Sequence, residues 1–497
     1  MAERLIRSVL VPNRGEIAVR LARACREMGI RSVLARAEGD DEPFVSRAFD
    51  GCESLGGGRA SETYLRVARI IDAARRAGVD AIHPGYGFLS ERAEMAAATA
   101  DAGIVFIGPP AEAIERMGSK AESRRLMAEL GVPVIPGYDG ADQSNETLVA
   151  EALRIGFPLL IKASAGGGGK GMKLVLAGKD LVAAIEAARR ESAAAFGHDR
   201  LLVEKYIENP RHIEFQIFGD DEGRVVHLFE RDCSVQRRHQ KVIEESPAPW
   251  FSGELRTQMS ESAVRAASGL GYVNAGTVEF IVSGNDHYFL EVNTRLQVEH
   301  PITEVVLGVD LVQAQIRVAG GAPLPWAQED LVQRGHAIEC RVYAEDPDQG
   351  FLPQAGTIEA YREPGGPGIR VDSGVEEGSV VSVSYDPLLA KLIAWSSSRA
   401  TCIERLDRAI GEYVILGTTT NLSHLARVVR HERFRNGVYD TSFLDVCSDE
   451  LLRVEAPETS AIAAVLSGMR VAPVRHGPTG DGAGIRSVWD QLGGIWR

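Results

Sequence analysis

The sequence predicts a multidomain protein of mixed α/β and α+β class, and three observations carry that expectation. A chain of 497 residues is too long for one hydrophobic core and should divide into about three or four domains. Its N-terminal part alternates short apolar runs with amphipathic helical stretches, as a parallel sheet with crossover helices requires. From residue 120 onward the strands come instead as hairpins around glycine-bearing turns, which marks a second architecture with a sheet-lined cleft.

In chain order, residues 5–11 form the first apolar run, Asn13-Arg14-Gly15 a turn, and residues 16–28 a helix. Ile17, Leu21, Cys25 and Met28 share one face of that helix, and Gly29 stops it. Apolar runs at 32–35, 81–83 and 104–107 continue the parallel sheet, in a Rossmann-like arrangement. No GxGxxG follows the first strand, so a dinucleotide-binding reading loses its main support. Hairpins are expected at 157–162 with 171–176, at 212–218 with 224–230, and at 276–283 with 287–293. A polar link at 326–335 leads to a third mixed segment ending near Cys447, and 472–484 reads as a flexible linker.

Bulk composition narrows the function. With 55 basic and 69 acidic residues the net charge is −14, which argues against a general nucleic-acid binder. The first residues lack the apolar core of a signal peptide, and no apolar stretch of about eighteen residues could span a bilayer. The six cysteines form no CxxC pair and read as reduced, mostly core residues of a cytoplasmic protein.

Chemistry concentrates in a few places. In Lys162-Ala-Ser-Ala-Gly-Gly-Gly-Gly-Lys-Gly-Met172 the bare backbone N–H groups can wrap phosphate oxygens. The run joins two strands and lacks the Gly-Lys-Ser/Thr and helix of a Walker loop, so it would serve as a lid over a nucleotide. A plain glycine-rich surface loop is the bland alternative. In the last hairpin, a three-residue turn Gly284-Asn285-Asp286 would pair Ser283 with His287 and set Glu279 opposite Glu291. Facing carboxylates repel, and a divalent cation would turn that cost into a site, with Asn293 on the same face as a third oxygen ligand. The same alternation also fits two solvated glutamates, with Val278, Phe280, Leu290 and Val292 as the buried face. Next in the chain, Arg295 could hold an anion and Glu299 could take a proton from it. Arg237-Arg238-His239-Gln240-Lys241 is a second cationic cluster; if it is extended, His239 and Lys241 share a face. Residues 201–207 read as a half-buried strand; the backbone around Lys205 to Ile207 could read adenine, while Glu204 accepts its amino group or the ribose.

Together these residues resemble the biotin carboxylase family of ATP-grasp enzymes, from about residue 5 to residue 447. The resemblance rests on Asn13-Arg-Gly-Glu-Ile-Ala18, His83-Pro-Gly-Tyr-Gly-Phe-Leu-Ser-Glu91, Met117-Gly-Ser-Lys120, the glycine run, Glu204-Lys205-Tyr206, Arg231-Asp-Cys-Ser234, Gln236 to Lys241, Glu291 to Pro301, and His336-Ala-Ile-Glu-Cys-Arg341. It implies a pre-ATP-grasp domain at 1–120 and an ATP-grasp domain at 121–330, with a mobile glycine-rich lid at about 135–203. A biotin carboxylase C-terminal domain at 331–447 and a linking tail at 448–497 follow. Lys120, Lys162, Gly168 and Gly169 would contact ATP phosphates; Glu204, Lys205, Tyr206 and Ile207 the adenine end; His212, Gln236 and His239 the nucleotide. Glu279, Glu291 and Asn293 would hold two Mg²⁺ or Mn²⁺ ions. Lys241, Arg295, Gln297 and Val298 would hold bicarbonate, with Glu299 its base, and Arg341 with Tyr86 would meet biotin.

The implied reaction is ATP- and bicarbonate-dependent carboxylation of biotin through carboxyphosphate, a ligase reaction forming a carbon–nitrogen bond. The implied partners are a biotin carboxyl carrier protein and carboxyltransferase subunits, with this chain a homodimer. Tyr385-Asp-Pro-Leu-Leu-Ala-Lys391 resembles α chains of propionyl- or methylcrotonyl-type acyl-CoA carboxylases more than acetyl-CoA carboxylase subunits. No Ala/Val-Met-Lys-Met turn is present and no lysine follows residue 450, so biotin is expected on another polypeptide. Two rivals stand beside this reading: another ATP-grasp ligase of carbamoyl-phosphate or purine-pathway type, and a catalytically silent member of a carboxylase complex. The second would have lost some of Lys241, Glu279, Glu291, Arg295 and Glu299, and all five are present.

Overall fold

A computed structural model describes residues 5–40, 42–163, 172–196 and 199–452, without the side chains of 120, 121, 195 and 196. Gly168, Gly169, the Lys120 side chain and the tail beyond residue 452 therefore lie outside the described residues.

The N-terminal part is a five-stranded parallel sheet, β1 (Ser8–Val11), β2 (Arg31–Arg36), β3 (Gly51–Ser54), β4 (Ala81–Ile82) and β5 (Val105–Phe106), in the order β3-β2-β1-β4-β5. The order reverses between β1 and β4, and in open α/β sheets the ground beyond the strands' carboxyl ends at such a reversal is where ligands bind. Asn13 leaves β1 and donates from Nδ2 to the carbonyls of Pro84 (2.7 Å) and Tyr86 (2.8 Å). Two distant sequence motifs are thus tied together at the reversal. The helix Gly15–Glu27 buries Ile17, Leu21 and Cys25 as expected, and Gly29 takes the left-handed φ of +69° that ends it. Sequence periodicity misses β3, whose Gly-Cys-Glu-Ser stretch is a half-exposed edge with no apolar run.

A four-stranded antiparallel sheet follows, β6 (Gly137–Tyr138), β7 (Leu159–Ala163), β8 (Lys173–Val175) and β9 (Leu201–Lys205), in the order β6-β9-β7-β8. The β7–β8 hairpin brackets the glycine run, as predicted.

Most of the remaining strands build one eight-stranded antiparallel sheet, beside three two-stranded pairs in the C-terminal part. It contains β10 (Arg211–Gly219), β11 (Val225–Arg237), β12 (Gln240–Ser246), β13 (Asn274–Ser283), β14 (Asp286–Asn293) and β15 (His336–Tyr343). With the strands Leu388–Ser396 and Ile369–Ser373 the order is β14-β13-β10-β11-β12-β15, then 388–396, then 369–373. The helix Gly253–Gly269 covers one face over Phe215, Val278 and Phe280, each burial contributing about 1.5–3 kcal/mol.

Two local expectations are corrected. The last hairpin turns on two residues, Gly284-Asn285, with Ser283 paired to Asp286 and Gly284 at φ +61°. A β-bulge between Glu279 and Phe280 then shifts the register by one, which restores Glu279 opposite Glu291. The shift also turns Phe289, not Leu290, into the core beside Val278, Phe280 and Val292. The cationic run 237–241 is not extended: Arg238 and His239 both have positive φ and form the tight turn between β11 and β12. His239 is therefore an exposed turn residue and shares no strand face with Lys241.

Among the described residues no helix is long and apolar enough to cross a membrane. All six cysteines are free, and all but Cys52 are buried.

Candidate active site

Three carboxylates stand in one row across adjacent strands: Glu214 on β10, Glu279 on β13 and Glu291 on β14. On the other side of β10, Glu214 faces Arg231 of β11, whose Nε donates to it at 2.5 Å. Such a row is destabilising unless cations meet it. Lys241 reaches over from β12 and does so, its Nζ 2.6 Å from Glu214, 2.8 Å from Glu279 and 2.7 Å from Glu299.

Glu299 immediately precedes the helix His300–Leu307 and is fully buried. Its Oε1 meets Lys241, and its Oε2 accepts from Arg341 Nη2 at 2.9 Å. Arg341 lies on β15 and also donates from Nε to Glu244 at 2.6 Å. Burial pushes the Glu299 carboxyl up, but Lys241, Arg341 and Arg231 outweigh it and hold the group well below the usual carboxylate range. Burial pushes the Lys241 ammonium down, and the acidic groups of Cys233, Glu214, Glu279 and Glu299 hold it well above its ordinary value. A charged base thus sits between two permanent cations. Glu244, one step behind Arg341, is raised by burial to about 7, although Arg341 pulls the other way.

Glu279 collects four donors. His212 Nε2 lies 2.8 Å from Oε2, while Lys241 Nζ, Asn293 Nδ2 (2.8 Å) and Gln297 Nε2 (3.1 Å) approach Oε1. Arg295 completes the ring, donating to Gln297 Oε1 at 2.6 Å and to Asn293 Oδ1 at 3.1 Å, with Glu91 3.1 Å away. Buried polar networks of this kind hold their geometry only when every member is satisfied.

The structure therefore brings together Lys241, Glu279, Asn293, Arg295, Gln297, Glu299, Arg341 and His212. Glu291 joins by its place in the carboxylate row, and Gln236 is buried opposite Lys241 in the β11–β12 register. In the four-stranded sheet Lys162 Nζ lies 2.5 Å from Glu204, so the two predicted ATP contacts meet each other. Lys205 Nζ donates to Phe157 O at 2.5 Å, and the Tyr206 N–H to Pro158 O at 3.0 Å. Ile207 is half-buried just past β9. Tyr86 stands with its ring centroid 5.9 Å from Lys391 Nζ, and that ammonium donates to the Val298 carbonyl at 2.9 Å.

Sequence reasoning misses Glu214 and Glu244 and gives Arg231 no role. The alternation of His212, Glu214 and Gln216 with Ile213, Phe215 and Ile217 is a usable signal for the first. The groups of three that could hold a metal ion among the described residues are His212, Glu214 and Glu279, and Glu214, Cys233 and Glu299. An oxygen-rich set around Glu279 suits Mg²⁺ or Mn²⁺.

Residues 119–327 match the family described as carbamoyl-phosphate synthase L chain, ATP binding domain, which alone would suit the rival ligase. Residues 5–114 match the biotin carboxylase N-terminal domain, and 339–446 the biotin carboxylase C-terminal domain. The chain belongs to the biotin carboxylase family.

Similar proteins of this family include the methylcrotonoyl-CoA carboxylase α subunit of Oryza sativa, 49% identical over 92% of this chain and 64% of the relative. The chain thus spans less than two thirds of that relative's length. A pyruvate carboxylase subunit of Methanothermobacter thermautotrophicus is 50% identical over 88% of this chain and 89% of its own. Among solved structures, the biotin carboxylase domain dimer of Hydrogenobacter thermophilus 2-oxoglutarate carboxylase, with MgADP, ADP and bicarbonate, superposes with a TM-score of 0.86. It is 44% identical and covers 91% of this chain and 100% of that one. As a biotin carboxylase the chain is an ATP-dependent ligase, and the family's half-reaction is bicarbonate-dependent carboxylation of biotin.

Proposed function

We propose that this chain carboxylates biotin borne on a separate carrier protein, through carboxyphosphate, as the first half-reaction of an acyl-CoA or related carboxylase. The observation that carries the reading is Glu299, buried as a carboxylate between Lys241 and Arg341 and next to the Glu279 cluster. Bicarbonate enters against Lys241, Arg295, Gln297 and Val298, and Glu299 takes its proton. Lys241 and Arg341 weaken Glu299 as a base, yet the same cations stabilise the carbonate that forms, so the transfer remains accessible. The freed oxygen attacks the γ-phosphorus, the bond to the β-phosphate oxygen breaks, and ADP leaves. Carboxyphosphate separates into CO₂ and phosphate, and the phosphate takes the biotin N1 proton. N1 attacks CO₂ while Arg341, with Tyr86 alongside, stabilises charge on the ureido oxygen.

Glu279, Glu291 and Asn293 are the residues we assign to Mg²⁺ or Mn²⁺, which when bound neutralises phosphate charge. Lys120, Lys162, Gly168, Gly169, His212, Gln236 and His239 are assigned to the nucleotide. With the Tyr206 N–H given to Pro158, adenine falls to the Lys205 carbonyl and the Ile207 N–H. The working parts are read as 1–120, 121–330 with its lid subdomain, and 331–447, in a cytoplasmic homodimer that works with a carrier and a carboxyltransferase. Two relatives of nearly equal identity carry the names of different acceptors, so the acceptor is set outside the shared region.

Bicarbonate-dependent ATP hydrolysis, measured with and without free biotin, tests the reading; strong stimulation by biotin is expected, and none would sink it. The carrier assignment has its own check. The one Met-Lys pair is Met172-Lys173, and Lys173 lies on β8 with its Nζ 2.6 Å from Glu191. Intact-mass measurement after co-expression with a biotin ligase should show no added biotin.

A further inference from the structure

Lys391 is a fully buried cation in the strand Leu388–Ser396, far in sequence from every group assigned above. Its position in the sheet is costly. It stands directly opposite Arg341, and two cations facing each other across strands repel. Each is separately neutralised: Arg341 by Glu244 and Glu299, Lys391 by Glu16 at 3.1 Å and by Asp372 at 3.8 Å on the next strand. A buried ion pair kept only for stability is commonly replaceable by apolar groups of similar volume without loss. Beyond its ion pair with Glu16, Lys391 Nζ donates to the Val298 carbonyl at 2.9 Å, a contact that charge neutralisation does not require.

That carbonyl belongs to the peptide joining Val298 to Glu299. We propose that Lys391 is a positioning residue for the bicarbonate pocket, holding this peptide so that Val298 meets the anion while Glu299 is aimed at its proton. Fixing one peptide plane sets ψ of Val298 and φ of Glu299 together, because the plane itself does not twist. The same ammonium faces the Tyr86 ring, so one buried charge braces both the bicarbonate side and the proposed biotin side. The proposal rests on the assignment of bicarbonate to this pocket.

The test uses the whole chain carrying Lys391→Met, and a second variant, Glu16→Gln with Lys391→Met, which removes the counter-ion together with the charge. Bicarbonate-dependent ATP cleavage is measured against bicarbonate and against ATP, beside the thermal midpoint. Expected is a rise of about tenfold or more in KM for bicarbonate, the scale of one lost charged hydrogen bond, with KM for ATP within about twofold. Lys391→Arg should recover part of that loss. A folded variant with unchanged bicarbonate KM, an equal rise in both KM values, or failure of both variants to fold would make Lys391 a structural residue and overturn the proposal. If the unaltered protein shows no bicarbonate dependence, the assignment of the pocket falls, and this proposal with it.

Discussion

Glu299→Gln is expected to lower bicarbonate-dependent ATP cleavage by about 10²- to 10⁴-fold, the usual contribution of a general base. The amide keeps the size of the side chain but cannot accept the proton, so the nucleophile that attacks ATP does not form. It also leaves Lys241 and Arg341 with one anion fewer at a fully buried position, so a lower thermal midpoint should accompany the loss. Arg341→Ala makes the informative comparison. Its proposed role comes after ATP is cleaved, so ATP cleavage should survive better than biotin carboxylation. Because Arg341 touches Glu299 directly, some ATP cleavage will be lost as well, and the ratio of the two activities is the quantity to measure. Equal losses in both activities would show that the two residues act on one step.

The second large effect is expected in the carboxylate row. Glu291→Gln should weaken the metal dependence of ATP use by about ten- to a hundredfold, as removal of one charged contact of about 1.5–3 kcal/mol implies. Relief of its repulsion with Glu279 should offset part of the metal-free stability lost with its own contacts, so its midpoint should fall less than that of the Glu279 variant. Glu279→Gln should weaken metal use as strongly and lower the metal-free midpoint further. His212, Lys241, Asn293 and Gln297 all donate to that carboxylate, and burial cannot keep it protonated against Lys241 and His212, which hold it well below the usual range. Normal metal dependence in Glu291→Gln together with a drop in its metal-free midpoint as large as that of Glu279→Gln would make the row a structural element.

These two sites differ in how readily the sequence discloses them. Glu279 and Glu291 lie in one hairpin, where alternation and a short turn nearly determine which residues face each other. The turn is shorter than expected and the bulge adds the missing step, so the pairing survives two compensating departures. Glu214, Glu244 and Lys391 sit on strands whose neighbours are distant in sequence. Periodicity tells which face each occupies but not what stands opposite. The turn at Arg238-His239 carries neither Asn nor Gly, so nothing in its composition announces positive φ. The parallel sheet is legible where its strands are buried and apolar, and illegible at β3, which is an edge.

The eight-stranded sheet has a further meaning for the timing of the reaction. Glu279 stands on β13 and Arg341 on β15, four strand steps apart in one hydrogen-bonded sheet, at about 4.8 Å per step. On the proposed assignments, the residues that would make carboxyphosphate and those that would spend it are carried by a single sheet. Their side chains close the gap that the strands leave, since Lys241 bridges Glu279 and Glu299 and Glu299 touches Arg341, so on this reading a short-lived species would need no domain to swing between its making and its use.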